Sequence, residues 1–189
     1  LDRIVSFGEI LSSVILSHKL NSMEIAHVWK DSRELITTNS DFGFATVNFE
    51  VTNKQINAFL KSTAASLYIF PGFIASDENG ITTTLGRGGS DFTAAILAAA
   101  VGAKQLEIWT DVSGMMTADP RLVQNVKVIP RISYKEAMEL CHFGAKVIYP
   151  PTIQPVMSKG IPLCVKNTLA PEDEGTLIEN KFSTTGNIV

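Results

Sequence analysis

The stretch ITTTLGRGGSDFTAAILAAAV, residues 81–101, decides the fold. A β-branched run (Ile81, Thr82, Thr83, Thr84) meets a glycine-rich turn (Gly86, Gly88, Gly89), which passes through Ser90 and Asp91 into an alanine-rich segment. β-Branched residues favour a strand, and the alanines favour a helix. Glycines let backbone N–H groups approach an anion closely, because no Cβ stands in the way. A helix start adds unpaired N–H donors and a partial positive charge. Strand, glycine turn and helix together suit a phosphate or carboxylate ligand.

Working outward, residues 1–20 place Ile4, Val5, Leu11, Val14 and Ile15 at helical spacing, which predicts a buried helical face. Gly8 and Glu9 interrupt it, so close packing or a ligand is expected at Gly8. Residues 23–29 read as a strand, 31–34 as a polar loop, 37–43 as turns and 45–49 as a short strand. Residues 51–64 read as a helix with Ile56, Phe59 and Leu60 on one face. Residues 67–74 are expected to be a buried strand broken by Pro71-Gly72. After the central helix, capped by Gly102, a strand over 105–110 delivers Thr110 and Asp111 at its C-terminal end. Ser133 and Glu136 form a capping box. Residues 143–146 read as a turn, Pro151 opens a helix, and residues 163–166 and 176–178 read as strands. Strands alternating with helices predict an α/β sandwich.

The 189 residues suffice for a substantial core, and 45% hydrophobic content reads as globular. The net charge of −3 with no basic tract argues against a nucleic-acid surface. No signal peptide or apolar span of about 18 residues is apparent, so a cytoplasmic protein is expected. Cys141 and Cys164 lack metal-ligand spacing and read as small buried hydrophobes; the three histidines read as structural. The chain begins with Leu1, in what reads as mid-domain helix, so a piece of a longer polypeptide is expected.

The glycine turn lacks the Gly-Lys-Ser/Thr of a Walker A loop, and Asp91 stands where a dinucleotide fingerprint needs its last glycine. It carries Arg87 instead, whose planar fork matches a carboxylate or phosphate. Asp91 has two readings: it caps the helix at Phe92, or it holds a cation that faces phosphates. Arg121 and Lys146 are candidate phosphate cations. Phosphoryl transfer needs charge neutralisation, Mg²⁺ and alignment more than covalent help from protein.

The segment TTTLGRGGSD, with FGE (Phe7–Glu9), WTDVSG (Trp109–Gly114), TADPR (Thr117–Arg121) and FGAKVIYP (Phe143–Pro150), resembles the aspartate kinases of the amino-acid kinase superfamily in content, order and spacing. DSREL and IPLCVKNT look most like the bifunctional aspartokinase–homoserine dehydrogenase branch. The resemblance implies a three-layer αβα sandwich with a mainly parallel central sheet, N-terminally incomplete. Residues 1–179 would be the C-terminal majority of the catalytic domain, and 180–189 a linker towards an absent regulatory domain. It implies that ATP, with Mg²⁺, phosphorylates the β-carboxylate of L-aspartate, the entry to lysine, threonine and methionine synthesis, in a homo-oligomer. Arg87 would bind the substrate α-carboxylate and Glu9 its α-amino group, with Ser90 and the Gly88–Gly89 backbone lining the same pocket. Asp91 would organise the catalytic cations. Thr110, Asp111, Met116, Arg121 and Lys146 would hold ATP; no metal-ligating residue is assigned.

Met116 stands where the family carries a tyrosine. The family's Lys-Phe-Gly-Gly phosphate motif does not occur, so the chain is expected to be inactive alone. Three rival readings remain at this point: a sibling kinase for glutamate, acetylglutamate, carbamate or a nucleotide; a non-catalytic sensing module; and, least well matched, a dinucleotide-binding domain.

Overall fold

A computed structural model describes residues 1–119, 121–142 and 147–180. The chain divides into two compact units, Leu1–Val101 and Gly102–Val189. Four of the six strand pairings among the described residues are parallel, as expected for the α/β class.

The first unit opens with α1 (Asp2–Ser22), followed by β1 (Val28–Trp29), a 3₁₀ turn (Ser32–Glu34) and β2 (Thr37–Thr38). Then come α2 (Phe49–Ser62), β3 (Tyr68–Ile69), β4 (Ile74–Asp77), β5 (Thr82–Thr84) and α3 (Gly89–Val101). β1 pairs with β3, and β4 lies between β2 and β5. Ile36, Ile56, Ile74 and Ile96 are fully buried. Each contributes about 1.5–3 kcal/mol by leaving water. Phe59 and Leu60 pack against this core on the face of α2 that the sequence predicts.

Three expectations are corrected here. The 45–49 strand is a single bridge between Val47 and Thr38, because Asn48 caps α2 through its side chain and starts the helix at Phe49. The strand expected over 23–29 is only Val28–Trp29, whereas that over 67–74 is broken at Pro71–Gly72 as expected, into β3 and β4. The third correction concerns α1, whose buried face is the polar one. Asp2, Ser6 and Ser13 are buried, whereas Phe7 and Leu11 are about 60% exposed. Ile4, Val5 and Ile15 are exposed as well. Hydrogen bonds explain the inversion. The Asp2 carboxylate accepts from the Gly43 N–H at 2.8 Å and the Thr84 hydroxyl at 3.0 Å, and Ser13 accepts from the Trp29 indole at 3.0 Å. Gly8 meets nothing within 4 Å of a notional Cβ, so close packing does not require it.

Asp31 ties the end of β1 to the 3₁₀ turn. Burial by itself would raise its carboxyl, but the Arg33 guanidinium (2.6 Å) and backbone N–H (3.0 Å) outweigh that and hold it below its ordinary value of 3.8. A depressed carboxylate contributes stability that is present above 3.8 and is lost as pH falls through the lower folded value. Between pH 5 and about pH 2.5 the wild type should therefore lose more stability than Asp31→Asn, measured as the shift in urea midpoint. Parallel acid limbs would contradict this.

The second unit contains β6 (Leu106–Thr110), β7 (Arg131–Ser133), α4 (Tyr134–His142), α5 (Gln154–Lys159), β8 (Leu163–Asn167) and β9 (Thr176–Glu179). The sheet order is β6-β8-β9-β7. Leu163, Val165 and Ile178 are fully buried on it. The predicted capping box is present: Ser133 Oγ accepts from the Glu136 N–H at 3.2 Å, and Glu136 Oε2 accepts from the Ser133 N–H at 3.0 Å. Ser133→Ala should cost about 1 kcal/mol, read from the denaturation midpoint; no change would mean that the reciprocal bonds are not formed in solution. Pro150–Ile153 forms a 3₁₀ helix with its prolines in the first turn and leads into α5, so the helix expected to open at Pro151 is present, first in 3₁₀ form. The predicted turn at 143–146 and the linker residues 181–189 lie outside the described residues. Among the described residues no helix is long and apolar enough to cross a membrane.

Candidate active site

β5 ends at Thr84 and α3 begins at Gly89, so residues 85–88 form the turn predicted from the sequence. The Phe92 N–H donates to the Gly88 carbonyl at 2.9 Å, which opens the helix. Gly86 and Gly88 take positive φ, +72° and +69°. A Cβ on Gly86 would sit 2.2 Å from the Phe44 ring, and one on Gly89 would sit 2.7 Å from the Phe73 ring. Part of the glycine pattern is therefore steric. The turn lies between two phenylalanine rings, and those two glycines make room for them.

Arg87 and Ser90 are exposed on this turn. Asp91 sits inside the first turn of α3, so it does not cap the helix at Phe92. Burial pushes its carboxyl above the ordinary value, and among the described residues no hydrogen bond or ion pair is made to it. A half-buried carboxylate with a raised pKa and no partner is a functional candidate. Glu9 has the same character: burial raises it, and no described side chain pairs with it. It lies on the inward polar face of α1, in helical register with Asp2, Ser6 and Ser13. Glu9, Arg87, Gly88, Gly89, Ser90 and Asp91 thus all belong to the first unit.

The residues expected to hold a nucleotide belong to the second. Thr110 is the last residue of β6, and its hydroxyl donates to Asp111 Oδ1 at 3.1 Å. Met115 is fully buried, whereas Met116 is half-buried and bridges to Val128. Arg121 forms an exposed, bidentate pair with Asp119, its Nη2 at 2.7 Å from Oδ2. Lys146 lies outside the described residues. No group of three or more His, Cys, Asp or Glu that could hold a metal occurs among the described residues.

Sequence reasoning missed Phe44, Phe73 and Thr93, which support the turn from behind. Gly43-Phe44 and Gly72-Phe73 each set a turn glycine beside an aromatic, but nothing in either dipeptide says what its ring meets. The left-handed conformation of Phe73 has no sequence signature.

Residues 1–167 match the amino acid kinase family. The chain belongs to the amino acid kinase family. Its sequence is 41% identical to the lysine-sensitive aspartokinase 3 of Escherichia coli K12 over 184 residues, which is 95% of this chain and 40% of that protein. It is 38% identical to a chloroplastic bifunctional aspartokinase/homoserine dehydrogenase 1 of Zea mays over 94% of this chain and 19% of that protein. Among solved structures, E. coli aspartokinase III in complex with aspartate and ADP superposes with a TM-score of 0.89 at 40% identity, covering 97% of this chain and 41% of that one. The fold is thus the amino acid kinase fold, as the resemblance implied. The chain spans well under half the length of these aspartokinases.

Proposed function

We propose that this amino acid kinase chain carries the acceptor and nucleotide residues for ATP-dependent phosphorylation of the β-carboxylate of L-aspartate, giving 4-phospho-L-aspartate and ADP. The observation that carries the reading is the Gly86–Ser90 turn at the start of α3, with Arg87 exposed on it and an unpartnered Asp91 one residue further on. Similarity to an aspartokinase solved with aspartate and ADP supports the choice of substrate.

Arg87 binds the substrate α-carboxylate, Glu9 its ammonium, and Ser90 with the Gly88–Gly89 backbone completes the pocket. A β-carboxylate oxygen attacks the γ-phosphorus; that O–P bond forms as the bond to the ADP oxygen breaks, and ADP leaves. The attacking carboxylate has no proton to lose, so no general base is needed. Asp91 instead orders the cations that neutralise the transferring charge. Thr110, Asp111, Met116, Arg121 and Lys146 hold ATP. Mg²⁺, a cation that needs only one or two protein carboxylates, would be carried largely by the nucleotide phosphates and would supply charge neutralisation there. The working enzyme is a cytoplasmic homo-oligomer in amino-acid biosynthesis, and the 189 residues alone are inactive for want of the Lys-Phe-Gly-Gly motif.

The test is ADP release from the full reading frame encoding this chain, compared with the 189 residues alone. L-Aspartate, L-glutamate, N-acetyl-L-glutamate, carbamate and UMP serve as acceptors. Aspartate should be preferred, and only by the longer polypeptide. Preference for another acceptor would overturn the substrate; full activity of the 189 residues alone would overturn the need for the Lys-Phe-Gly-Gly motif.

A further inference from the structure

Phe73 has φ +67°, a conformation that a bulky side chain rarely adopts. Such a residue persists only where its surroundings impose it, and it clusters at functional sites. Here the surroundings are the substrate turn itself. The buried Thr93 hydroxyl, on the second turn of α3, accepts from the Phe73 N–H at 3.0 Å and donates to the Gly89 carbonyl at 3.0 Å. The Phe73 carbonyl accepts from the Leu85 N–H at 2.9 Å. A Cβ on Gly72 would stand 2.9 Å from Ser90 Cα, so the turn abuts the backbone of Ser90 directly. Behind it, the Ser32 hydroxyl donates to the Pro71 carbonyl at 2.5 Å. The Pro71–Gly72–Phe73 turn is thereby pinned at both ends, and residues 85 and 89–90 are held against it.

We propose that Thr93 is a positioning residue for the acceptor turn. Its single hydroxyl locks the left-handed Phe73 to the start of α3, and so fixes where the Gly88 and Ser90 N–H groups and Arg87 present themselves to an amino-acid carboxylate; the Gly89 N–H is spent within the turn on the Gly86 carbonyl. This rests on the acceptor-site reading above. Pre-organised donors bind an anion without a further ordering cost, whereas a turn free to relax pays that cost at each binding event.

The experiment compares Thr93→Val, Thr93→Ser and the remote core variant Ile56→Val in the 189-residue chain. Two readouts are taken: amide hydrogen exchange, and titration with L-aspartate followed by amide chemical shifts. In Thr93→Val the Phe73 and Gly89–Ser90 amides should exchange about tenfold faster, and aspartate affinity should fall about tenfold. Thr93→Ser should restore both to near wild type. Ile56→Val should lower the melting temperature without moving aspartate affinity. Unchanged exchange at Phe73 in Thr93→Val overturns the lock, whatever the ligand does. Faster exchange with unchanged aspartate affinity, or a serine variant that behaves like the valine one, overturns the positioning role. If the wild-type chain shows no shift with aspartate, the acceptor-site reading fails separately, and the exchange data still decide the lock.

Discussion

Asp91→Asn should separate activity from stability: aspartate phosphorylation by the full reading frame falls about 10³-fold while the melting temperature of the 189-residue chain rises. The structural basis is a carboxylate that burial pushes up and that no described residue stabilises. Its ionised form is disfavoured by folding. The sign of the pH effect follows from linkage. A carboxyl with a raised folded pKa contributes stability that is fully present below its unfolded value of 3.8 and is lost as pH rises through the folded value. At neutral pH the wild type therefore carries a penalty that the amide avoids, and the two melting curves should converge as pH falls towards 4. A site that costs stability is expected where chemistry needs the charge. An asparagine variant that keeps activity would remove Asp91 from the cation-organising role. One that melts lower at pH 7 would show that its carboxylate has a partner in solution.

The glycine turn between β5 and α3 was largely legible in the sequence, because three independent local preferences agree there: β-branched residues, glycines, then alanines. The capping box at Ser133 and the packing face of α2 were legible for the same reason. What could not be read was which neighbour each face meets. In α1 the periodicity grouped the apolar residues correctly, but it could not tell that Asp2 and Ser13 had partners at Gly43, Thr84 and Trp29 and would be drawn inward. The two-residue strands β1, β2 and β3 are too short for an alternation to register. At the site, Arg87 and Asp91 were visible as chemistry in a glycine turn. The support from Phe44, Phe73 and Thr93 was invisible, since it depends on residues brought together by folding. Glycine at 86 and 89 was read as access for an anion; the structure adds a second reason, the two rings.

Gly175→Ala should be the most damaging glycine-to-alanine change among the described residues of the second unit. Gly175 has φ +78°, and a Cβ there would lie 2.1 Å from the Val165 carbonyl oxygen. That oxygen belongs to the backbone of β8, where Val165 pairs with Thr176 of β9. Neither partner can give way without opening the β8–β9 ladder on which the buried Val165 and Ile178 depend. The backbone penalty of about 1–2 kcal/mol for a left-handed non-glycine residue is then compounded by the collision, and a loss above about 3 kcal/mol is expected. For a unit of this size that lowers the melting temperature by more than about 10 °C. Gly80→Ala is the control. Gly80 has nearly the same φ, +75°, with nothing within 4 Å of its Cβ position, so only the backbone term applies. Equal losses in the two variants, followed by circular dichroism melts, would contradict the steric argument.

The central claim is that an aspartate kinase acceptor site is built on the Gly86–Ser90 turn. Its most direct test is to trap the product. An acyl phosphate reacts with hydroxylamine to give a hydroxamate, whereas free aspartate does not. The full reading frame, incubated with ATP, Mg²⁺, L-aspartate and hydroxylamine, should form aspartyl hydroxamate and ADP in equal amounts, and Arg87→Ala should abolish the hydroxamate at low aspartate. ADP release without hydroxamate, or hydroxamate formation indifferent to Arg87, would contradict the account.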